Sequence, residues 1–176
     1  MTETACIAVT GANGFVGRAV CKSLLGKGYK VRALLRRADV APEFNDVVGL
    51  DVRVVGEING TTDWAGHLTD VQGVIHLAAR VHVMNDQSDD PLSAFRAVNV
   101  DGTARLARAA RAAGVDRFVF MSSIKVNGEA TIDSAFDESS PAAPEDPYGK
   151  SKAEAEGILW EIAGETGLEV VILRPP

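Results

Sequence analysis

The sequence is short of several things at once, and each shortage excludes something. It holds two cysteines and three histidines in 176 residues. Cys6 and Cys21 stand apart and the histidines are scattered, so no metal-ligand spacing is present. The two thiols are expected as small buried hydrophobes, one in a strand and one in the next helix, and a cytoplasmic setting follows as the default. Positive charge is in deficit: 18 Lys and Arg against 24 Asp and Glu leave a net charge of −6. That balance argues against a nucleic-acid partner, which would call for a basic face. No stretch approaches the roughly 18 uninterrupted apolar residues of a membrane span. Met1-Thr2-Glu3-Thr4 lacks the basic and apolar regions of a signal peptide. Aromatics are scarce too, and Trp64 and Trp160 read as packing residues.

What is there is alternation. Cys6–Thr10 reads as a strand and Phe15–Leu25 as a helix. Strands follow at Lys30–Leu35, Val52–Val55 and Gly73–Ala78, with a weaker helical segment near Thr62–Leu68. Ala94–Ala113 repeats Ala, Leu and Val at helical spacing, and Gly114 ends it. Phe118–Ser122 is a fifth strand, Glu129–Asp146 a polar, Pro-rich loop, Tyr148–Ala163 a helix and Leu168–Leu173 a sixth strand. Such a pattern predicts an α/β fold, a doubly wound parallel sheet of order 3-2-1-4-5-6 with helices on both faces. Ligands are then expected at the carboxyl ends of the strands. The chain is long enough for one domain over residues 1–176. It stops at Arg174-Pro175-Pro176, so it reads as truncated before a C-terminal substrate lobe.

Between the first strand and first helix lies Thr10-Gly11-Ala12-Asn13-Gly14-Phe15-Val16-Gly17. The spacing G-x-x-G-x-x-G is a variant of the dinucleotide fingerprint of Rossmann-like folds. Gly11 permits the tight turn, Gly14 lets the backbone approach a pyrophosphate, and Gly17 lets the helix sit close to the sheet. Asn13, Phe15 and Val16 complete the turn that presents the helix N-terminus to phosphate. An acid about 20 residues further on would select NAD. None stands there; the second strand ends Leu35-Arg36-Arg37. Arg36 offers a guanidinium to a 2′-phosphate, so NAD or NADP is expected, with NADP slightly favoured.

Tyr148-Gly149-Lys150-Ser151-Lys152 contains Tyr-x-x-x-Lys at a helix start, a spacing that puts both side chains on one face. A phenol is a poor base at neutral pH. Bringing its pKa from 10 to about 7 takes roughly 4 kcal/mol, which a nearby lysine and an oxidised nicotinamide could supply. Ser123, 25 residues before Tyr148 (148 − 123), or its neighbour Ser122, ends the fifth strand where a hydroxyl can bond the reacting oxygen.

Together these motifs, in this order and over essentially the whole chain, resemble the extended short-chain dehydrogenases/reductases of the NAD-dependent epimerase/dehydratase family. The resemblance implies catalytic roles for Ser123, Tyr148 and Lys152, with Tyr148 and Lys152 also at the cofactor. Gly56-Glu57-Ile58 matches the segment whose acid meets adenine, which implicates Glu57 and Ile58. His76-Leu77-Ala78-Ala79 matches a fourth-strand end along the cofactor, which implicates Leu77, Ala78 and Ala79, with His76 structural. Asn99, in Val98-Asn99-Val100-Asp101-Gly102-Thr103, matches a segment supporting the site. Where many relatives read Val-Tyr-Gly, this chain reads Lys125-Val126-Asn127-Gly128, so Lys125 and Asn127 stand where substrate contacts are expected. The implied function is epimerisation or 4-keto reduction of a UDP-linked hexose, in surface-polysaccharide precursor synthesis. A homodimer is implied as well, with Ala104, Ala107, Ala109 and Ala110 allowing close helix packing. A non-catalytic NAD(P)-sensing regulator or scaffold on the same fold is the alternative.

Overall fold

The computed structural model describes residues 4–37, 47–81, 90–131 and 135–176. The Met1–Glu3 start, part of the segment considered above for a leader, lies outside them. Six strands form one parallel sheet: β1 Cys6–Thr10, β2 Lys30–Leu35, β3 Leu50–Val54, β4 Gly73–His76, β5 Arg117–Met121 and β6 Glu169–Leu173. Their order is β3-β2-β1-β4-β5-β6, as the alternation predicts. The order reverses between β1 and β4, where Thr10 pairs with His76. The connections that leave β1 and β4 therefore diverge at that seam and open a crevice beyond the strand ends.

Among the described residues, four α-helices cover the sheet: α1 Phe15–Gly26, α2 Pro91–Arg96, α3 Thr103–Ala112 and α4 Pro147–Thr166. On one face, Val9, Val31, Ala33 and Leu35 pack with Cys21 of α1. On the other, Ala8, Val74, Phe118 and Phe120 meet Leu106, Ala107 and Ala110 of α3 and Ala155, Leu159 and Ile162 of α4. The alanines offered by the sequence for a contact between copies are thus largely spent inside: Ala107 and Ala110 are fully buried in the chain's own core. Both cysteines are buried and free. No helix among the described residues is long and apolar enough to cross a membrane.

Three elements differ from expectation. The helix foreseen from Ala94 is longer and interrupted: between α2 and α3, Ala97–Gly102 widens to π-helical geometry. Gly102 faces the turn after β3 there, and a Cβ on it would lie 2.8 Å from Ile58 Cγ2. Thr62–Leu68 is not a helix. Asn59 and Asp63 accept from the amides of Thr61 and Ala65, which gives the backbone a local alternative, and Gly66 turns it at φ +73°. The apolar residues of that stretch still serve, since Trp64 and Leu68 are buried in the core. Finally, β3 starts two residues earlier than read, because Leu50 and Asp51 pair with Val31 and Arg32.

Candidate active site

The glycine turn brings α1 hard against the strand ends. A Cβ on Gly17 would stand 2.1 Å from Gly11 O, and one on Gly11 would stand 2.9 Å from Ala78 N. Gly11 also needs φ +64°. Gly14 caps α1 in extended conformation with no acidic residue in the first turn. The first amides of the helix therefore face outward with the positive end of its dipole. A cavity of about 530 Å³ opens over this turn. Its walls are Gly11, Asn13 and Gly14, the Gly56-Glu57-Ile58 turn, and Leu77, Ala78 and Ala79, with Arg36 at the rim. Size, amide-lined floor and outward helix end suit a dinucleotide. Of the expected cofactor residues, Phe15 and Val16 lie on the outer side of the turn, both exposed, while Gly17 is buried beneath it.

Arg36 is not alone. Glu57 Oε1 lies 3.6 Å from its Nη1, and both side chains are solvent-exposed. Arg37, Arg80 and Val98 also line the cavity, residues that no glycine or Tyr-Lys motif singles out.

Asn99 sits in the π-helical segment, buried, and does three things with its side chain. Its Oδ1 accepts from Arg80 N at 2.8 Å, and its Nδ2 donates to Arg80 O at 3.0 Å and to Ser151 Oγ at 2.9 Å. It thereby ties the cavity wall to α4.

α4 begins at a clear signal. Asp146 caps it through Gly149 N, and Pro147 takes the first helical position. Tyr148, half-buried, shares a hydrogen bond with Ser123 and meets Phe95 edge to face at 6.1 Å. Burial pushes the Tyr148 phenol above its ordinary value; Asp146 pushes it the same way, while Lys125 and the bond to Ser123 pull it down. Ser122 is committed elsewhere, donating from Oγ to Glu156 Oε1 at 2.5 Å. Of the two candidate serines, Ser123 is the one beside the phenol.

Lys152 lies one turn along, but its ammonium turns inward. It is 2% exposed, with Nζ 4.1 Å from the centre of the Phe120 ring. Burial lowers its pKa to about 7, against a smaller opposing pull from Glu156. Among the described residues the cation that acts on Tyr148 is Lys125, a position where the sequence predicts a substrate contact. Lys125 Nζ bonds Asp146 Oδ2 at 2.7 Å and Glu129 Oε1 at 2.9 Å. Asn127 is buried, and its amide donates to Ser140 O at 2.9 Å and Pro141 O at 3.3 Å, pinning the loop before α4.

Beneath the site lies an ion pair that the motifs did not announce. Arg174 grips both oxygens of buried Glu156, with Nε 3.0 Å from Oε1, and its Nη1 donates to Asn127 Oδ1 at 3.3 Å. The only signal in the sequence is position: Glu156 lies four residues after Lys152, on a face otherwise filled by Ala155, Leu159 and Ile162.

Residues 7–176 match the model of the NAD dependent epimerase/dehydratase family. The chain belongs to that family. It is 46% identical to UDP-glucose 4-epimerase of Vibrio cholerae over 171 residues, covering 96% of this chain and 50% of that protein. It is 33% identical to a putative dihydroflavonol 4-reductase of Synechocystis, covering 97% of this chain and 48% of that protein. Among solved structures, UDP-glucuronic acid 4-epimerase from Bacillus cereus, in complex with UDP-glucuronic acid and NAD, superposes at TM-score 0.83 and 26% identity. That match covers 96% of this chain and 55% of the other. A short-chain dehydrogenase/reductase superfamily protein from Agrobacterium tumefaciens with bound NAD superposes at TM-score 0.75 and 35% identity, covering 96% and 48%. The chain thus spans about half the length of the relatives it matches.

Proposed function

We propose that this chain is the dinucleotide half of an NAD-dependent nucleotide-sugar 4-epimerase acting on a UDP-hexose. The observation that carries the reading is a juxtaposition: a dinucleotide-sized cavity over the glycine turn, on the same sheet edge as the Ser123–Tyr148 pair. The Vibrio cholerae and Bacillus cereus relatives, both 4-epimerases, support the substrate class. A keto reductase on the same site is the neighbouring reading.

When bound, the nicotinamide supplies a hydride acceptor and donor at the sugar carbon. The protein's own groups handle the proton. Ser123 donates a hydrogen bond that holds the reacting oxygen against Tyr148, and the phenol passes a proton to or from that oxygen. Tyr148 is poised as an acid, since burial keeps it protonated. Its use as a base therefore rests on added positive charge at the site, from Lys125, Lys152 and the oxidised ring. Lys152 follows Tyr148 by one turn of α4, with its ammonium buried over the Phe120 ring.

Cofactor choice turns on Arg36. As a lone guanidinium it would favour a 2′-phosphate, which is the reading the sequence invites. With Glu57 3.6 Å away, any phosphate there meets a carboxylate as well as a cation. The reading is therefore NAD, with Glu57 refusing the 2′-phosphate. Calorimetric titration of the chain with NAD+ and NADP+ tests this. NAD+ is expected to bind more tightly, and Glu57→Gln to improve NADP+ binding about fivefold, the scale of one exposed charge pair. Tighter NADP+ binding by the unaltered chain, lost in Arg36→Ala, would restore the phosphate-clamp reading. Binding of neither would remove the dinucleotide assignment.

A further inference from the structure

Thr10, His76, Asn99 and Thr103 lie buried inside the sheet–helix core and take no part in the proton chemistry above. His76 ends β4 between the rings of Phe118 and Phe120, at centroid distances of 5.9 and 5.8 Å. Its hydrogen bonds admit a single arrangement of protons. Thr10 Oγ1 accepts from Leu77 N and Ala78 N, each at 3.2 Å, which uses both of its lone pairs. Its own hydrogen must therefore go to His76 Nδ1, 2.6 Å away. Nδ1 is then the unprotonated nitrogen, and the ring proton sits on Nε2. Nε2–H donates to Thr103 Oγ1 at 3.0 Å, and Thr103 in turn donates to Asn99 O at 2.7 Å. Every donor points one way along the chain, so the tautomer is assigned by its neighbours.

The two ends of this chain are what give it consequence. One end holds the amides of Leu77 and Ala78, the backbone that walls the cavity and that Gly11 approaches without room for a Cβ. The other end is Asn99, whose side chain grips Arg80 and Ser151. Residues 77–80 are thus held at their start by Thr10 and at their end by Asn99. Ser151 joins both to α4 one residue before Lys152.

We propose that His76 is a positioning residue for the dinucleotide, a single-tautomer imidazole that fixes the 77–80 wall of the cofactor cavity relative to the Tyr148–Lys152 helix. The proposal rests on the reading of that cavity as a dinucleotide site. Protonation would turn Nδ1 into a donor facing a donor and break the chain. The one charged group among the described residues that acts on the ring is the Lys152 ammonium, which together with burial opposes protonation, and burial is the larger cause. Thr10 from β1, Thr103 from α3, and Phe118 and Phe120 from β5 contribute no charge.

Long-range nitrogen–proton NMR of the labelled chain reads the tautomer directly. The Nε2–H form, unchanged between about pH 5 and pH 9, is expected. An Nδ1–H form, or titration near the ordinary histidine value, would overturn the proposal. Two substitutions then split the chain. His76→Asn keeps an acceptor where Nδ1 stands and so keeps the Thr10 end; His76→Gln keeps a donor near Nε2 and abandons that end. NAD+ affinity is expected to fall less than about threefold in His76→Asn and at least tenfold in His76→Gln and Thr10→Val. Equal affinities in the two His76 variants would refute the positioning role. If either variant does not fold, hydrogen exchange of the Leu77 and Ala78 amides in Thr103→Val takes its place: faster exchange supports the relay, and unchanged exchange sinks it. Failure of the unaltered chain to bind NAD+, with its tautomer and amide protection as stated, would count against the dinucleotide reading alone.

Discussion

The two walls of the site are built on opposite plans. The glycine-turn wall is nearly all backbone: Gly11, Gly14 and Gly17 bring amides and a helix end to the surface, and its charged groups, Arg36 and Glu57, stand in solvent. The α4 wall is all side chain: Lys152, Glu156 and Ser151 are buried, and each is tied to, or packed against, a group on another element. The difference separates two tasks. Recognising a phosphate asks for amides in the right place and tolerates little bulk. Moving a proton asks for charges whose energies have been shifted, and burial is what shifts them. A change in the first wall should act through space, and a change in the second through charge and pH.

The sharpest way to break the first wall is Gly17→Ala. The added carbon would fall 2.1 Å from Gly11 O and 2.7 Å from Ala12 Cα, and neither is a side chain that can swing away. The turn would have to move off the sheet. Loss of more than about 3 kcal/mol of stability is expected. Urea unfolding measures it, and NAD+ binding should vanish with it. Near-native stability would mean that the turn is softer than its contacts imply.

The two walls also differ in how far the sequence announces them. The backbone wall was legible, because a turn needing no Cβ leaves glycines at fixed offsets, and a strand and a helix on either side confirm them. Tyr148 and Lys152 were legible for a similar reason, since helical spacing converts sequence distance into a shared face. The partners of α4 were not. Glu156 finds Arg174 across 18 residues and Ser122 across 34, separations that no local pattern encodes. The Thr10–His76 bond spans 66 residues and exists only because β1 and β4 are neighbours in the sheet. Arg36 shows the same limit from the other side: its motif position suggested a phosphate clamp, and only the fold reveals Glu57 beside it. Thr62–Leu68 was misread because its apolar spacing fits a helix while Asn59 and Asp63 bond the backbone into turns.

On the α4 wall the largest expected effect is electrostatic. Burial lowers Lys152 from 10.5 to about 7. Below pH 7 the lysine is charged in both the folded and the unfolded chain, so the full cost of burying that charge falls on the fold. Between 7 and 10.5 the unfolded chain still binds the proton that the folded chain has released, and stability rises with pH. Lys152→Met, of similar length and uncharged, is therefore expected to stabilise the chain at pH 6 by up to about 5 kcal/mol, with the gain shrinking toward pH 10. Thermal unfolding across that range measures it. A gain that does not change with pH would place the effect in packing and not in charge. The same variant should lose the proposed epimerase reaction, the usual exchange of stability for function at a strained site.

The smallest effect is the control that shows where tight packing ends. Gly157 also lies in α4, five residues beyond Lys152, yet a Cβ there would meet nothing within 4 Å. Here glycine costs helix stability without allowing any close approach. Gly157→Ala is expected to add roughly 0.5–1 kcal/mol by restricting the unfolded chain, and to leave NAD+ affinity unchanged. Set beside Gly17→Ala, it is the same chemical change with the opposite sign, and the sign is decided by what stands opposite the new carbon. A destabilising Gly157→Ala would show that this face of α4 is covered by something in solution, and sedimentation of the chain would then tell whether a second copy covers it.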